Sequence, residues 1–227
     1  MPREVFVAGQ VLTAAELNVV SDQSVMVFAD SSARSAAISS PSEGMVTYLE
    51  DTNGVEVYNG SAFTGVGRGS ILQVVSTTKT DTFSASVAAG ALVSVTGFSA
   101  SITPSSTSSK ILVFVAIDGN ASTADGHMAF RLMRGASPVG VGDTAGSRTS
   151  LTASQTPAFA SDNTAIANAM KQFLDTPATT SSTTYSVQIH NSASSSQTLY
   201  VNRSGADIDD APRARTISTI TLMEVAG

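Results

Sequence analysis

The sequence lacks cysteine and tryptophan altogether, and only 13% of its 227 residues are charged. Without cysteine the chain has no disulfide framework, no thiol nucleophile and no cysteine-based zinc site. The absence is compatible with folding in a reducing compartment. The formal net charge of −6 would repel a phosphate backbone, so we expect no binding to nucleic acid.

Long apolar runs are also missing. The longest, from Ile111 to Ile117, is far shorter than the roughly 20 residues that span a bilayer. Too few apolar residues follow Met1-Pro2-Arg3-Glu4 to form the core of a secretory signal. We therefore expect neither a secretory signal nor insertion into a membrane.

Residues suited to catalysis or metal binding are scarce. His127 and His190 are the only histidines, too few for a three-histidine zinc site, and the pattern around them places each on the polar face of a strand. No aromatic-rich groove is expected beside the carboxylates, since the chain has only four tyrosines. The sequence therefore predicts no catalytic residue, no metal site and no cofactor, and favours a binder or building block over an enzyme.

One polar cluster near the C-terminal end of the sequence allows two interpretations. It combines acidic and basic residues, namely Asp207, Asp209, Asp210, Arg203, Arg213 and Arg215. The aspartates lack the glycine and the distal glutamate of a calcium-binding loop. The arginines could form salt bridges with the aspartates, which we favour, or contact an acidic glycan.

Serine and threonine dominate the composition, with 35 and 26 copies. Threonine favours strands, and serine favours turns and loops. Both side chains hydrate a surface without adding charge. This composition is typical of a β-rich protein with a neutral, wet exterior.

Residues 1–30 form the first predicted segment. Thr13 and Glu16 have the spacing of a helix capping box, which predicts a short N-terminal helix from there to about Val27. Leu12, Leu17 and Val20 give this helix a narrow apolar edge, and Phe6 precedes it. So small a helix is marginal alone, so we expect it to pack on trimer mates or on another protein.

Residues 31–69 form the second predicted segment. Residues 31–44, rich in serine, alanine and proline, are predicted to be a linker. Three short apolar runs follow, separated by Asn53-Gly54 and Asn59-Gly60, a pair of residues typical of tight hairpin turns. We predict a small three-strand β-meander, too small to bury much surface by itself.

Residues 70–227 form the third and largest predicted segment. Tyr185, Val187 and Ile189 alternate with polar residues, and the segment 217–225 reads as a last strand. Alternation with period two, interrupted by frequent turns, is typical of an antiparallel sandwich. The sequence therefore predicts a mainly β fold: an antiparallel β-sandwich preceded by a short helix and a small meander.

The run from Ile111 to Ile117 departs from this alternation, because it is apolar at every position. A strand of an antiparallel sandwich buries one face and exposes the other to water. The second face therefore needs an apolar cover, and a subunit interface through Leu112 and Phe114 is the simplest one. The alternative is that a loop or the N-terminal helix folds over the strand.

Three stretches resemble known families. The segment from Phe6 to Asn18 is similar to an N-terminal motif of phage minor tail and fibre proteins. The stretch from Ala33 to Phe63 resembles a small module of phage structural proteins, with phenylalanine at 63 where that family usually has tryptophan. The segment from Ile71 through Ile111 to Val225 resembles the C-terminal domains of phage tail fibres, which look like jelly rolls of the tumour-necrosis-factor type and assemble as trimers.

The resemblance implies a homotrimeric structural protein in the virion of a tailed bacteriophage, assembled in the host cytoplasm. It implies a fibre or spike that is anchored to other virion proteins through Phe6, Leu12, Leu17 and Val20. A glycan or protein on the host surface would be its partner, although no receptor-binding residue is identified. The alternatives are a head fibre or capsid decoration protein and, less favoured, a polysaccharide depolymerase, which usually has a long β-helix.

Overall fold

The computed structural model describes residues 9, 11, 13–14, 24–66, 70–122, 128–155, 164–211 and 213–227. It divides into two compact units, Met1–Gly69 and Ser70–Gly227. We describe each unit by itself. Phe6, Leu12, Leu17 and Val20, the predicted anchoring residues, lie outside the described residues.

In its described residues from 24 onward, the first unit is a small sheet with one short helix. Its elements are β1 (Met26–Phe28), α1 (Ser31–Ala37), β2 (Val46–Leu49), β3 (Gly54–Tyr58) and β4 (Phe63–Val66). The strands lie in the order β1-β2-β3-β4, with β1 parallel to β2 and the other pairs antiparallel. Asn53 has a φ of 46° and Gly60 a φ of 93°, the left-handed backbone that tight hairpins require. The predicted meander is confirmed, and β1 extends it to four strands.

The predicted positions of the helix and the linker were wrong in part. Met26 and Val27, placed at the end of the predicted helix, belong to strand β1, and most of that helix falls outside the described residues. The segment 31–44, predicted as a linker, contains α1. This helix starts because Asp30 accepts a hydrogen bond from the Ala33 amide at 2.7 Å, which caps the first turn.

Arg34 attaches α1 to one face of this sheet. Its guanidinium forms an ion pair with Glu56 and lies 4.2 Å from the centre of the Phe63 ring. The ring of Phe63 in turn packs against that of Tyr58, with centroids 5.1 Å apart. An aromatic ring beneath a partly desolvated guanidinium contributes about 1 kcal/mol.

The second unit is an antiparallel β-sandwich of the jelly-roll type. Its strands are β5 (Ile71–Lys79), β6 (Phe83–Val87), β7 (Leu92–Ile102), β8 (Lys110–Ala121), β9 (Met128–Arg134), β10 (Ser137–Pro138), β11 (Ala153–Gln155), β12 (Ala167–Asp175), β13 (Thr183–His190), β14 (Gln197–Val201) and β15 (Ser218–Val225). One sheet has the order β5-β15-β8-β14-β6. Strand β12 also pairs with β8, on the edge opposite to β15. The second has the order β10-β9-β13-β7, with β11 beside β9. The predicted fold class is confirmed.

The core lies between the two sheets. Tyr185, Phe98 and Phe130 are its largest fully buried side chains, and aliphatic residues from both sheets surround them. Each fully buried side chain of this size contributes about 1.5 to 3 kcal/mol. The sandwich therefore has a large apolar core of its own, which fixes which face of each strand points inward.

Two asparagines connect loops to the edges of the sandwich. Asn202 is fully buried and donates from Nδ2 to the carbonyls of Lys79 and Asp81 at 2.8 and 2.9 Å. Asn191, also fully buried, donates to the carbonyls of Val87 and Ser195 at 2.8 and 2.9 Å. These side chains satisfy backbone acceptors that would otherwise be buried without a partner.

The expected position of His190 on a polar face was wrong. The residue ends β13 and is only 7% exposed. Burial lowers the pKa of its imidazole, and the nearby charge of Arg131 acts in the same direction. His127 lies outside the described residues.

Glu224 is a fully buried acid near the end of β15. Its carboxylate accepts hydrogen bonds from the Ser105 amide at 2.6 Å, the Ser105 hydroxyl at 2.7 Å and the Gln73 side chain at 2.6 Å. Burial by itself raises the pKa of Glu224, but hydrogen bonds from Ser105, Gln73 and Ser109 outweigh it and lower the pKa to about 2. The charged form therefore joins β15 and β5 to the loop after β7.

We expect Glu224→Gln to lower the free energy of unfolding at neutral pH by about 1 to 3 kcal/mol, because it removes an acceptor from buried donors. The folded pKa lies below the ordinary value of 4.5, so the stability from this group is complete above pH 4.5 and declines as the pH falls toward 2. Urea titrations across this pH range should show a shallower acid dependence in the variant. Glu50→Gln, at an exposed position, is the control, and equal behaviour of the two variants would contradict the assignment.

Candidate assembly surface

Along the first eight residues of β8, the side chains alternate between the core and the outer face of the sheet. Ile111, Val113 and Ile117 point into the core and are at most 1% exposed. Leu112 lies on the outer face and is half-buried, and Phe114 is 37% exposed. The strand therefore has one face in the core of its own chain and a second apolar face on the surface of the sandwich.

An apolar stripe crosses the outer face of this sheet. We define the apolar stripe as Val74, Leu112, Phe114, Met170, Leu174 and Met223. Four of these residues form one continuous cross-strand row, because Met223 is paired with both Val74 and Leu112, and Leu112 is also paired with Leu174. Four strands at a spacing of about 4.8 Å make this row roughly 14 Å wide.

Several members of the apolar stripe are well exposed to solvent in the single chain. Met170 is 66%, Val74 56% and Leu174 46% exposed. Phe114 and Met170 line an open groove of about 550 Å³ together with Ala116 and the polar side chains of Lys171, Gln172 and Thr219. Contiguous exposed apolar side chains of this kind are typical of protein–protein contact surfaces.

The outer face of the opposite sheet is polar, in contrast. We define the serine face as Ser94, Ser99, Ser101, Thr184, Ser186 and Gln188, all on β7 and β13. Hydrogen bonds link its side chains across the strands, such as Ser101 to Thr184 at 2.7 Å and Gln188 to Ser94 at 3.3 Å. One outer face of the sandwich is thus suited to water and the other to an apolar partner.

Sequence reasoning identified only part of the apolar stripe. Leu112 and Phe114 were predicted from the two-sided apolar run, and the structure places both on the outer face. Met170 and Leu174 were missed, because their strand β12 has its apolar residues mixed with Asn168, Lys171 and Gln172. A signal was present in the spacing of Met170 and Leu174, four residues apart and therefore on one face of a strand.

The polar cluster between β14 and β15 forms salt bridges. Asp207 pairs with Arg203 at 2.9 Å and also with Arg215, as favoured from the sequence. The guanidinium of Arg203 also lies 4.3 Å from the centre of the Tyr200 ring.

Across the described residues, no group of three or more histidine, cysteine or acidic side chains could hold a metal ion. Within the same part of the chain, no helix is long and apolar enough to cross a membrane.

A second polar group joins the two sheets at one side of the sandwich. Arg134 donates from Nη1 to both carboxylate oxygens of Asp175, at 2.9 and 2.8 Å. The hydroxyl of Tyr185 donates to Asp175 at 2.6 Å. Burial raises the pKa of Tyr185, and the hydrogen bond and charge of Asp175 raise it further. Because Tyr185 is fully buried and Asp175 only 6% exposed, these two residues are placed to stabilise the fold and not to meet a substrate.

No family model matches this chain, and a comparison with curated proteins finds no match. Among solved structures, a chain in the structure of the infectious bursal disease virus Gx strain is similar, at 14% sequence identity and a TM-score of 0.34. The similarity covers 76% of this chain and 43% of the viral chain, so this chain spans less than half the length of its viral neighbour. A likeness of this extent carries no argument about function.

We expect Tyr185→Phe to lower the free energy of unfolding by about 1 to 3 kcal/mol, because Asp175 would lose a buried hydrogen-bond donor. Tyr200→Phe is the matched control: its ring contact with Arg203 is kept, so we expect a change below about 0.5 kcal/mol. Urea denaturation of both variants at one protein concentration measures the difference. Equal losses would show that the hydroxyl of Tyr185 is not stabilising.

Proposed function

We propose that this chain is a structural virion protein of a tailed bacteriophage, a homotrimeric fibre or spike that attaches the particle to the host surface. The trimer is supported by the contrast between the two outer faces of the sandwich: one has the apolar stripe and the other has the serine face. The phage assignment is supported by the resemblance of the stretches from Phe6 to Asn18 and from Ala33 to Phe63 to phage structural proteins.

A second copy of the same chain is the occupant that best fits the apolar stripe. Along the middle of β8, the outward positions are Leu112, Phe114 and Ala116, all uncharged, while Lys171 of β12 borders the same groove. Three identical copies can therefore approach one another along β8 around a three-fold axis without like charges meeting on that strand. Removing a largely exposed side chain such as Met170 from water contributes on the order of 1 kcal/mol or more.

The proposed role needs no catalytic group, since attachment depends on contact area and copy number. Three copies in one spike multiply a modest affinity at each contact site. Loops rich in serine and threonine would provide the contacts with a glycan or protein. The N-terminal residues Phe6, Leu12, Leu17 and Val20 are proposed to bind other virion proteins.

We expect Phe114→Glu to convert the trimer into single chains, because it places a charge at the centre of the proposed interface. Ser99→Glu puts the same charge in the middle of a strand on the serine face, and we expect that variant to stay trimeric. Sedimentation equilibrium of the full chain measures both masses. A wild-type protein with the mass of one chain would refute the trimer, and a trimeric Phe114→Glu variant would refute the apolar stripe as its interface.

Electron microscopy of particles labelled with an antibody to this chain tests its position. We expect label on projections from the particle, and competition between the purified full chain and the phage for host cells. The main alternative, a capsid decoration protein, predicts label over the shell and fragile capsids when the protein is missing. A depolymerase would instead release reducing sugar from host polysaccharide.

A further inference from the structure

A polar cavity lies at one end of the sandwich, between the turn after β9 and the loop that joins β12 to β13. Its volume is about 360 Å³, within the range in which proteins bind small ligands. The lining combines one basic side chain, one proline and four hydroxyl side chains, namely Arg134, Pro177, Thr179, Ser182, Thr183 and Thr184. The cavity is therefore polar, in contrast to the groove beside Phe114.

Arg134 alone is charged among the described residues that line this cavity, and Asp175 fixes its position. The hydrogen bonds of its guanidinium to described residues all come from Nη1, two to Asp175 and a longer one to the Thr176 carbonyl. Nε and Nη2 form the other edge of the guanidinium plane, the kind of edge that binds a carboxylate through two parallel hydrogen bonds. The side chain of Arg134 is 32% exposed and that of Asp175 only 8%, so the arginine is accessible to a ligand and its acidic partner is not.

Hydrogen bonds within the chain shape both walls of the cavity. In the loop, the Ser181 amide donates to Oγ1 of Thr179 at 3.0 Å, and Oγ1 of Thr183 donates to the Ser181 carbonyl at 3.1 Å. At the turn after β9, the Gly135 amide donates to the Thr184 carbonyl at 2.9 Å. Because these contacts need no ligand, the cavity is already formed in the single chain, and binding costs little further ordering.

The hydroxyl groups of the lining suit a sugar. A hydroxyl has one donor and two acceptor positions, so Thr179, which accepts one hydrogen bond, can still donate, and Thr183, which donates one, can still accept. Pro177 is the only proline or large apolar residue among the described residues of the lining, so an acidic peptide would find few apolar contacts. A single arginine, already paired with Asp175, matches one carboxylate better than a doubly charged phosphate.

We propose that this cavity binds a sugar that bears one carboxylate, of the uronic acid class. The carboxylate would bind Nε and Nη2 of Arg134, and the hydroxyl groups of the ring would bind the threonine and serine side chains. This inference rests on the proposed attachment function, because it names the class of host-surface glycan that the chain would recognise.

Methyl glucuronide and methyl glucoside are a matched pair of probes, because only the first has a carboxylate. Each is titrated into the isotope-labelled full chain, and the amide shifts are followed by NMR. Arg134→Lys keeps a positive charge beside Asp175 but removes the two-nitrogen edge. Arg131→Lys is its control, since Arg131 is on the same strand but donates to Gln188 of the serine face.

A second variant leaves Arg134 and Asp175 unchanged. Ser182→Glu, at an exposed position of the lining, adds a carboxylate that would compete with the ligand for Arg134 and repel it. Ser94→Glu adds the same charge at an exposed position of the serine face, away from the cavity, and is its control.

We expect the glucuronide, and not the glucoside, to shift the amides of Gly135 and of residues 178–184 in the wild-type chain. Arg134→Lys and Ser182→Glu should each weaken this binding at least about tenfold, because charge-assisted hydrogen bonds are lost, while both controls should bind like the wild type. Equal shifts with the two sugars, or equal affinity of a variant and its control, would overturn the site. Equally tight binding of N-acetylaspartate would overturn the sugar as the ligand.

Competition of the full chain with phage for host cells separates this inference from the proposed function. A chain that competes but shows no shift specific to the glucuronide would overturn the sugar site and leave the attachment function intact. A chain that binds the glucuronide at Arg134 but does not compete would support the sugar site and overturn attachment as its role.

Discussion

The arrangement of this protein depends on one constraint: a sheet has two faces, and the core of a single chain can cover only one of them. Strand β8 buries Ile111, Val113 and Ile117 in the core. Because side chains alternate along a strand, Leu112 and Phe114 lie on the outer face of the sheet. The same constraint acts on the N-terminal sheet, where α1 covers one face and valines on the other face are exposed. The two units, although different in architecture, therefore share the same physical constraint.

Periodicity was sufficient to predict the fold class. The two-sided apolar run identified β8 and both candidate interface residues, and the alternation at Tyr185, Val187 and Ile189 identified β13. The asparagine–glycine turns located the meander. Each of these features depends only on residues that are close together in the sequence, so it can be recognised without knowing the tertiary structure.

The features that were missed depend on partners distant in the sequence. Arg134, Asp175 and Tyr185 meet only because β9, β12 and β13 are brought to one side of the sandwich, and no spacing rule links them. The alternation along β13 predicts that His190 lies on the polar face, but the residue is buried at the end of that strand. The helix α1 was missed because its start depends on Asp30 as a cap, while its own residues resemble a linker. Leu174 of the apolar stripe was missed because charged and amide neighbours hide the pattern of β12.

The strand order of the sheet that contains the apolar stripe also affects how the chain folds during its synthesis on the ribosome. β15 lies between β5 and β8 and separates them, although it is made about 140 residues after the first of them. Until this late strand emerges, β5 and β8 have no common neighbour and the row through Met223 is incomplete. Pairing over such a separation is slow. A nascent chain that has β5 and β8 but not yet β15 therefore exposes only parts of the apolar stripe, because the continuous row across the sheet needs Met223.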